Sequence, residues 1–91
     1  MIVARHFRIE GRVQGVGFRF FAEDAALREG LCGFARNLKD GGVEIEIEGD
    51  QEAVERFERA VRRGPAGARV DRVEVTILTP AARRGGFEIR P

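Results

Sequence analysis

The run Gly11-Arg12-Val13-Gln14-Gly15-Val16-Gly17-Phe18-Arg19 sets three glycines between a strand-like alternation and a stretch with helical spacing. Glycine adopts positive φ at no steric cost and lets the backbone approach a ligand closely. A helix that begins just after such a turn leaves its first N–H groups without intrahelical acceptors, and its macrodipole adds partial positive charge there. Those are the ingredients of an anion site. Arg19, in the first helical turn, adds a planar fork of donors suited to a phosphate. The backbone of Gln14, Gly15, Val16, Gly17 and Phe18, with the side chain of Arg19, therefore forms a candidate phosphate cradle. The run lacks the Gly-Lys-Ser or Gly-Lys-Thr ending of a nucleoside-triphosphate loop, and its glycines miss the dinucleotide spacing, so neither kind of nucleotide is expected. On composition alone, an ordinary tight turn with an exposed arginine competes evenly with this reading.

The same nine residues resemble the first signature of the acylphosphatases. Gly33-Phe34-Ala35-Arg36-Asn37-Leu38-Lys39-Asp40-Gly41-Gly42-Val43 resembles the second, which closes at Gly49 with the spacing seen in that family. With the elements around them, the two motifs extend the resemblance over nearly the whole chain. It implies a single acylphosphatase-like domain over residues 1–91 that hydrolyses the carboxyl-phosphate anhydride of a small acyl phosphate, without metal or cofactor. It also implies that Arg19 holds the phosphate and that Asn37 orients the attacking water. Inorganic phosphate or sulfate would then compete with substrate. Gly17 stands where some members carry a larger residue, which bears on the shape of the loop more than on its chemistry.

Positioning these residues falls to elements that the periodicity outlines. Phe7, Ile9, Gly11 and Val13 alternate with His6, Arg8, Glu10 and Arg12, the pattern of a half-buried strand. Phe18, Phe21, Ala22 and Ala25 repeat at helical spacing up to about Glu29, with Gly30 as the stop. Leu31–Leu38 reads as a second strand, Asp40-Gly41-Gly42 as a tight hairpin, and Val43, Ile45 and Ile47 as the apolar side of a third strand. Asp50 is suited to cap a second helix with Val54, Phe57 and Val61 as its stripe, ended by Gly64-Pro65. Arg69–Thr79 reads as a fourth strand with Val73, Val75 and Ile77 inward. Pro80–Gly86 reads as a loop and Phe87–Arg90 as a short last strand.

The order βαββαβ predicts an α+β, ferredoxin-like sandwich: an antiparallel sheet with both helices on one face and a short fifth strand appended. The other face, open to solvent, would carry a lattice of Arg8, Arg12, Arg36, Glu44, Glu46, Glu48, Arg72, Glu74 and Arg90. A right-handed crossover makes strands one and two run the same way, with strand three between them and antiparallel to both. Their C-terminal ends then meet at one edge, which would bring the glycine turn and Asn37 together.

Composition narrows the alternatives. A net charge of +1 gives no bulk electrostatic footprint for nucleic acid or a membrane surface. No apolar run is long enough to span a bilayer. RNA-recognition domains share this element order, but Glu44, Glu46 and Glu48 on strand three would repel a phosphate backbone. One His and one Cys among scattered carboxylates predict no metal site. Cys32, the only cysteine, excludes an internal disulfide, fits a reducing cytoplasm, and reads as a buried small apolar residue. His6 lies on the polar side of strand one and reads as a surface residue. No long apolar edge asks for a partner, so a monomer is expected. A non-catalytic anion-binding module is the competing function, and Met1 followed by a chain that ends close after the last strand favours a stand-alone enzyme over it.

Overall fold

A computed structural model describes residues 1–91 as β1 (Ile2–Arg12), α1 (Phe18–Glu29), β2 (Cys32–Asn37), β3 (Val43–Asp50), α2 (Gln51–Arg63), β4 (Arg69–Leu78) and β5 (Phe87–Arg90). The strands form one sheet in the order β4-β1-β3-β2-β5. β1 and β2 are both antiparallel to β3, so both end at the same edge, as the crossover argument requires. α1 packs on β2 and β5, α2 on β3 and β1, and the two helices touch on the same face.

The core follows from alternation. Phe7 and Ile9 of β1, Val43, Ile45 and Ile47 of β3, and Ala35 of β2 face the helices and are almost wholly buried. Phe18, Ala22, Ala25 and Ala26 of α1 and Val54, Phe57 and Val61 of α2 close over them. The Phe57 ring lies 6.0 Å from that of Phe7 and 6.5 Å from that of Phe87. Each large apolar side chain buried this way stabilises the fold by roughly 1.5–3 kcal/mol. Asp50 caps α2 by accepting the Glu52 N–H at 3.2 Å. Gly33 permits the tight β2–β3 approach: at φ +151°, an added Cβ would sit 1.8 Å from the Glu46 carbonyl oxygen.

Four expectations need correction. The sheet is mixed, because β5 pairs parallel with β2. The chain leaves β4 near the start of β1, crosses to the far edge through residues 79–86, and enters β5 at the end where β2 also begins. Val75 and Ile77 pair with Phe7 and Arg5 and so share the helix side, yet they are 36% and 75% exposed. β4 is the outermost strand there, and α2 sits over the middle of the sheet. Cys32 is only half-buried, on the sheet face away from the helices.

The fourth correction is Glu48. It belongs to the outer face by register but is only 7% exposed. The crossing segment lies over it: Ala81 N–H donates to its Oε1 at 2.8 Å and Arg83 N–H to its Oε2 at 3.0 Å. The rest of that face is the expected charge lattice. Glu44 accepts from His6 at 2.9 Å and pairs with Arg36, and these contacts, His6 first, hold its carboxyl below the usual range against a burial effect that opposes them. Phe34, also on this face, is covered by the Arg90, Arg83 and Arg36 guanidiniums at 4.0, 5.7 and 5.9 Å from its ring centre.

The Glu48 contacts make a pH prediction. The Ala81 N–H, then that of Arg83, holds the Glu48 carboxyl below the usual range, although burial pushes the other way. A lowered folded-state pKa contributes stability above the unfolded-state value, and that contribution disappears as pH falls through the folded-state value. Thermal midpoints measured from neutral to acid pH should therefore fall more steeply in the wild type than in Glu48→Gln, which should be less stable at neutral pH. Parallel acid limbs in the two proteins would refute the latch.

Candidate active site

Val13 and Phe18, 1% and 2% exposed, pin the two ends of the turn between β1 and α1 into the core. Gly15 and Gly17 lie exposed between them, both at φ +76°. Gly17 is the N-cap of α1, supplies no side-chain cap, and is followed by no acidic residue in the first turn. The main-chain N–H groups of Gly15, Val16 and Gly17 donate to no acceptor in the chain. Those of the first helical turn have no acceptor four residues back. The turn thus presents consecutive free donors at the positive end of a helix dipole, with no carboxylate of its own to compete for them.

Arg19 is half-buried beside this turn. Its Nη1 donates to the Arg90 carbonyl oxygen at 3.0 Å, and it joins no ion pair, unlike Arg8, Arg36, Arg56, Arg62, Arg69, Arg72, Arg83 and Arg90. One contact fixes the guanidinium while leaving most of its five N–H donors available. The Arg90 carbonyl was missed in the sequence, and nothing in the residue types marks it. Only the parallel pairing of β5 with β2 carries the end of that strand to this edge.

Asn37 ends β2. It shares a face with Gly33 and Ala35, the side covered by α1. In register it lies opposite Val43, which in turn lies opposite Ile9, so it stands two strand spacings, roughly 10 Å, across the sheet from Ile9, three residues before the end of β1. The topology brings Asn37 and the turn to the same edge of the sheet. Asn37 is half-buried, and its carboxamide has no partner within the chain.

Gln14 differs from the rest of the candidate cradle. Its Nε2 donates to the Leu38 carbonyl at 2.6 Å and the Gly42 carbonyl at 2.9 Å. The side chain therefore clamps the β2–β3 hairpin, and only its main-chain N–H is left to face an anion. The hairpin is tied a second time, because Asp40 pairs with Arg8 and accepts the Gly42 N–H at 3.0 Å. His6 lies on the opposite side of the sheet from α1, bound to Glu44. No group of three or more His, Cys, Asp or Glu side chains is placed to hold a metal ion. Two concave regions of the surface, about 300 and 370 Å³, lie along the loop before β5, away from the turn.

Known proteins resemble this chain in sequence and fold. The Acylphosphatase family model matches residues 5–89. An acylphosphatase of Anaeromyxobacter dehalogenans is 51% identical over 82 residues, covering 90% of this chain and 88% of the relative. One from Thermus thermophilus is 54% identical over 77 residues, covering 85% and 88%. The crystal structure of acylphosphatase from Bacillus subtilis superposes with a TM-score of 0.94 at 35% identity, covering 100% of each chain. With the fold, the glycine turn and these likenesses in agreement, the chain belongs to the acylphosphatase family, hydrolases of acyl phosphates.

Proposed function

We propose that acyl phosphate hydrolysis in this protein takes place at the β1–α1 turn, with the phosphate held by Arg19 and the main-chain N–H groups of Gln14 to Phe18 and the water oriented by Asn37. An acyl phosphate is a mixed anhydride whose leaving group is a carboxylate, so departure needs no strong general acid. Phosphoryl transfer passes through a loose transition state with negative charge spread over the equatorial oxygens. Donors fixed before the reaction stabilise that charge without reorganising. The single observation that carries the reading is the juxtaposition at one turn of unpaired consecutive N–H groups and an arginine anchored by a carbonyl rather than by a carboxylate.

In this mechanism the Asn37 carboxamide oxygen accepts a hydrogen bond from water and its NH₂ donates to substrate. The water oxygen bonds to phosphorus as the bond from phosphorus to the carboxyl oxygen breaks. The carboxylate leaves with that electron pair, and the water's proton passes to a phosphate oxygen. The same reading has the enzyme acting as a monomer in a reducing cytoplasm. The lone half-buried thiol supports the compartment. The charged β4 edge, with its bulge opposite Glu10 and Gly11, discourages strand-to-strand association.

The test is release of inorganic phosphate from benzoyl phosphate or acetyl phosphate with EDTA present, inorganic phosphate and sulfate being added as competitors. Hydrolysis that persists in EDTA and yields competitively to both anions is expected. Phosphate binding at the turn without turnover would instead leave a binding module.

A further inference from the structure

A second gathering of unpaired donors lies in the segment that crosses from β4 to β5. Its first half already holds an anion of the chain's own, since Ala81 and Arg83 direct their N–H groups at the Glu48 carboxylate. Its second half holds none. The main-chain N–H groups of Arg84, Gly85 and Gly86 donate to no acceptor in the chain. These residues, with Arg83, Glu88 and Arg90, line the cavity of about 300 Å³, which has no apolar side chain in its wall.

The charges in that wall are not balanced. Arg83 is paired with Glu46 at 3.0 Å and Arg90 with Glu88 at 2.6 Å. Arg84 is exposed and has no carboxylate partner, so its guanidinium is the uncompensated cation of the cavity. We propose that this cavity is a second anion site, separate from the cradle, that takes inorganic phosphate or a small phosphomonoester with Arg84 as its charged anchor. A tetrahedral oxyanion offers enough acceptor oxygens to meet a guanidinium fork and several main-chain N–H groups at once, and such bonds are about twice as strong as neutral ones. A simple carboxylate offers two oxygens and leaves donors unmet. A wall without apolar side chains gives no burial energy to an acyl or aromatic group, which sets this ligand apart from most small-molecule ligands. The arginines exclude a metal cation.

The proposal does not depend on the roles assigned at the cradle, and its test separates the two sites. Amide resonances of ¹⁵N-labelled protein are followed during titration with inorganic phosphate, and with acetate at matched ionic strength, in wild type, Arg19→Ala and Arg84→Ala. The Arg84, Gly85 and Gly86 amides should shift saturably with phosphate in both wild type and Arg19→Ala. Acetate should move them far less. Arg84→Ala should weaken their apparent phosphate affinity by about tenfold, in proportion to a lost charge-assisted contact, while acyl phosphate hydrolysis stays at the wild-type rate. Amides at 84–86 that fail to saturate, that answer acetate as strongly as phosphate, or that respond only when Arg19 is present would overturn the second site.

Discussion

Arg19→Ala should bind inorganic phosphate more weakly and turn over acyl phosphate more slowly, with kcat/KM down by on the order of 10³–10⁵, the range for losing an arginine that neutralises charge in phosphoryl transfer. Both quantities fall together because, in the proposed mechanism, the guanidinium meets phosphate oxygens that are charged in the ground state and more so in the transition state. Arg19→Lys should recover only part of the loss. An ammonium keeps the charge but lacks the planar fork that reaches the Arg90 carbonyl while still facing the turn. Steady-state phosphate release, with inorganic phosphate as a competitive inhibitor, measures both effects. A kcat/KM within tenfold of wild type in Arg19→Ala would remove Arg19 from the chemistry.

Asn37→Ala should separate the two quantities. Inhibition by inorganic phosphate should stay close to the wild-type value, because the donors of the proposed cradle come from the turn and from Arg19. Turnover should drop by on the order of 10²–10³, the cost of removing one preorganised polar group from a reacting centre. Asn37 lies on the α1-covered side of β2 with no partner in the chain, so its loss leaves no buried group unsatisfied and should change stability little. Full activity in the alanine variant would end the water-orienting role. A large loss of phosphate affinity would make Asn37 part of the cradle instead.

Much of this site was legible in the residue order because its parts are local. A glycine turn between a strand and a helix is written in nine consecutive residues, and the donors it frees are a property of any helix start. The alternation in β1 and β3 set the core face and the register between them, since slipping by one residue would turn Phe7, Ile9, Ile45 and Ile47 out to solvent. The helix boundaries followed from Gly30 and Gly64, which stop helices through backbone conformation, and from Asp50, which starts α2 through its side-chain cap. Those features also carried the family resemblance.

Tertiary structure decided whatever depends on residues far apart in sequence. Glu48 has the same local signature as Glu44 and Glu46, and only the crossing of residues 81–83 over it turns a solvated carboxylate into a buried, hydrogen-bonded one. Val75 and Ile77 follow the same alternation as Val73, but a period-two pattern names a face without saying how far the helices cover it. From the sequence, the Gln14 side chain could either brace the loop or face an anion, and the hairpin at residues 38–42, folding against it, decides for the brace. The Arg90 carbonyl reaches Arg19 across a separation of 71 residues, through a main-chain atom that every residue possesses. The amino-acid sequence by itself therefore determined the elements, the core face and the glycine turn that the proposed cradle uses, because periodicity and backbone preference act within a few residues. The covering of Glu48, the exposure of the β4 edge and the anchoring of Arg19 arose only when distant segments packed together.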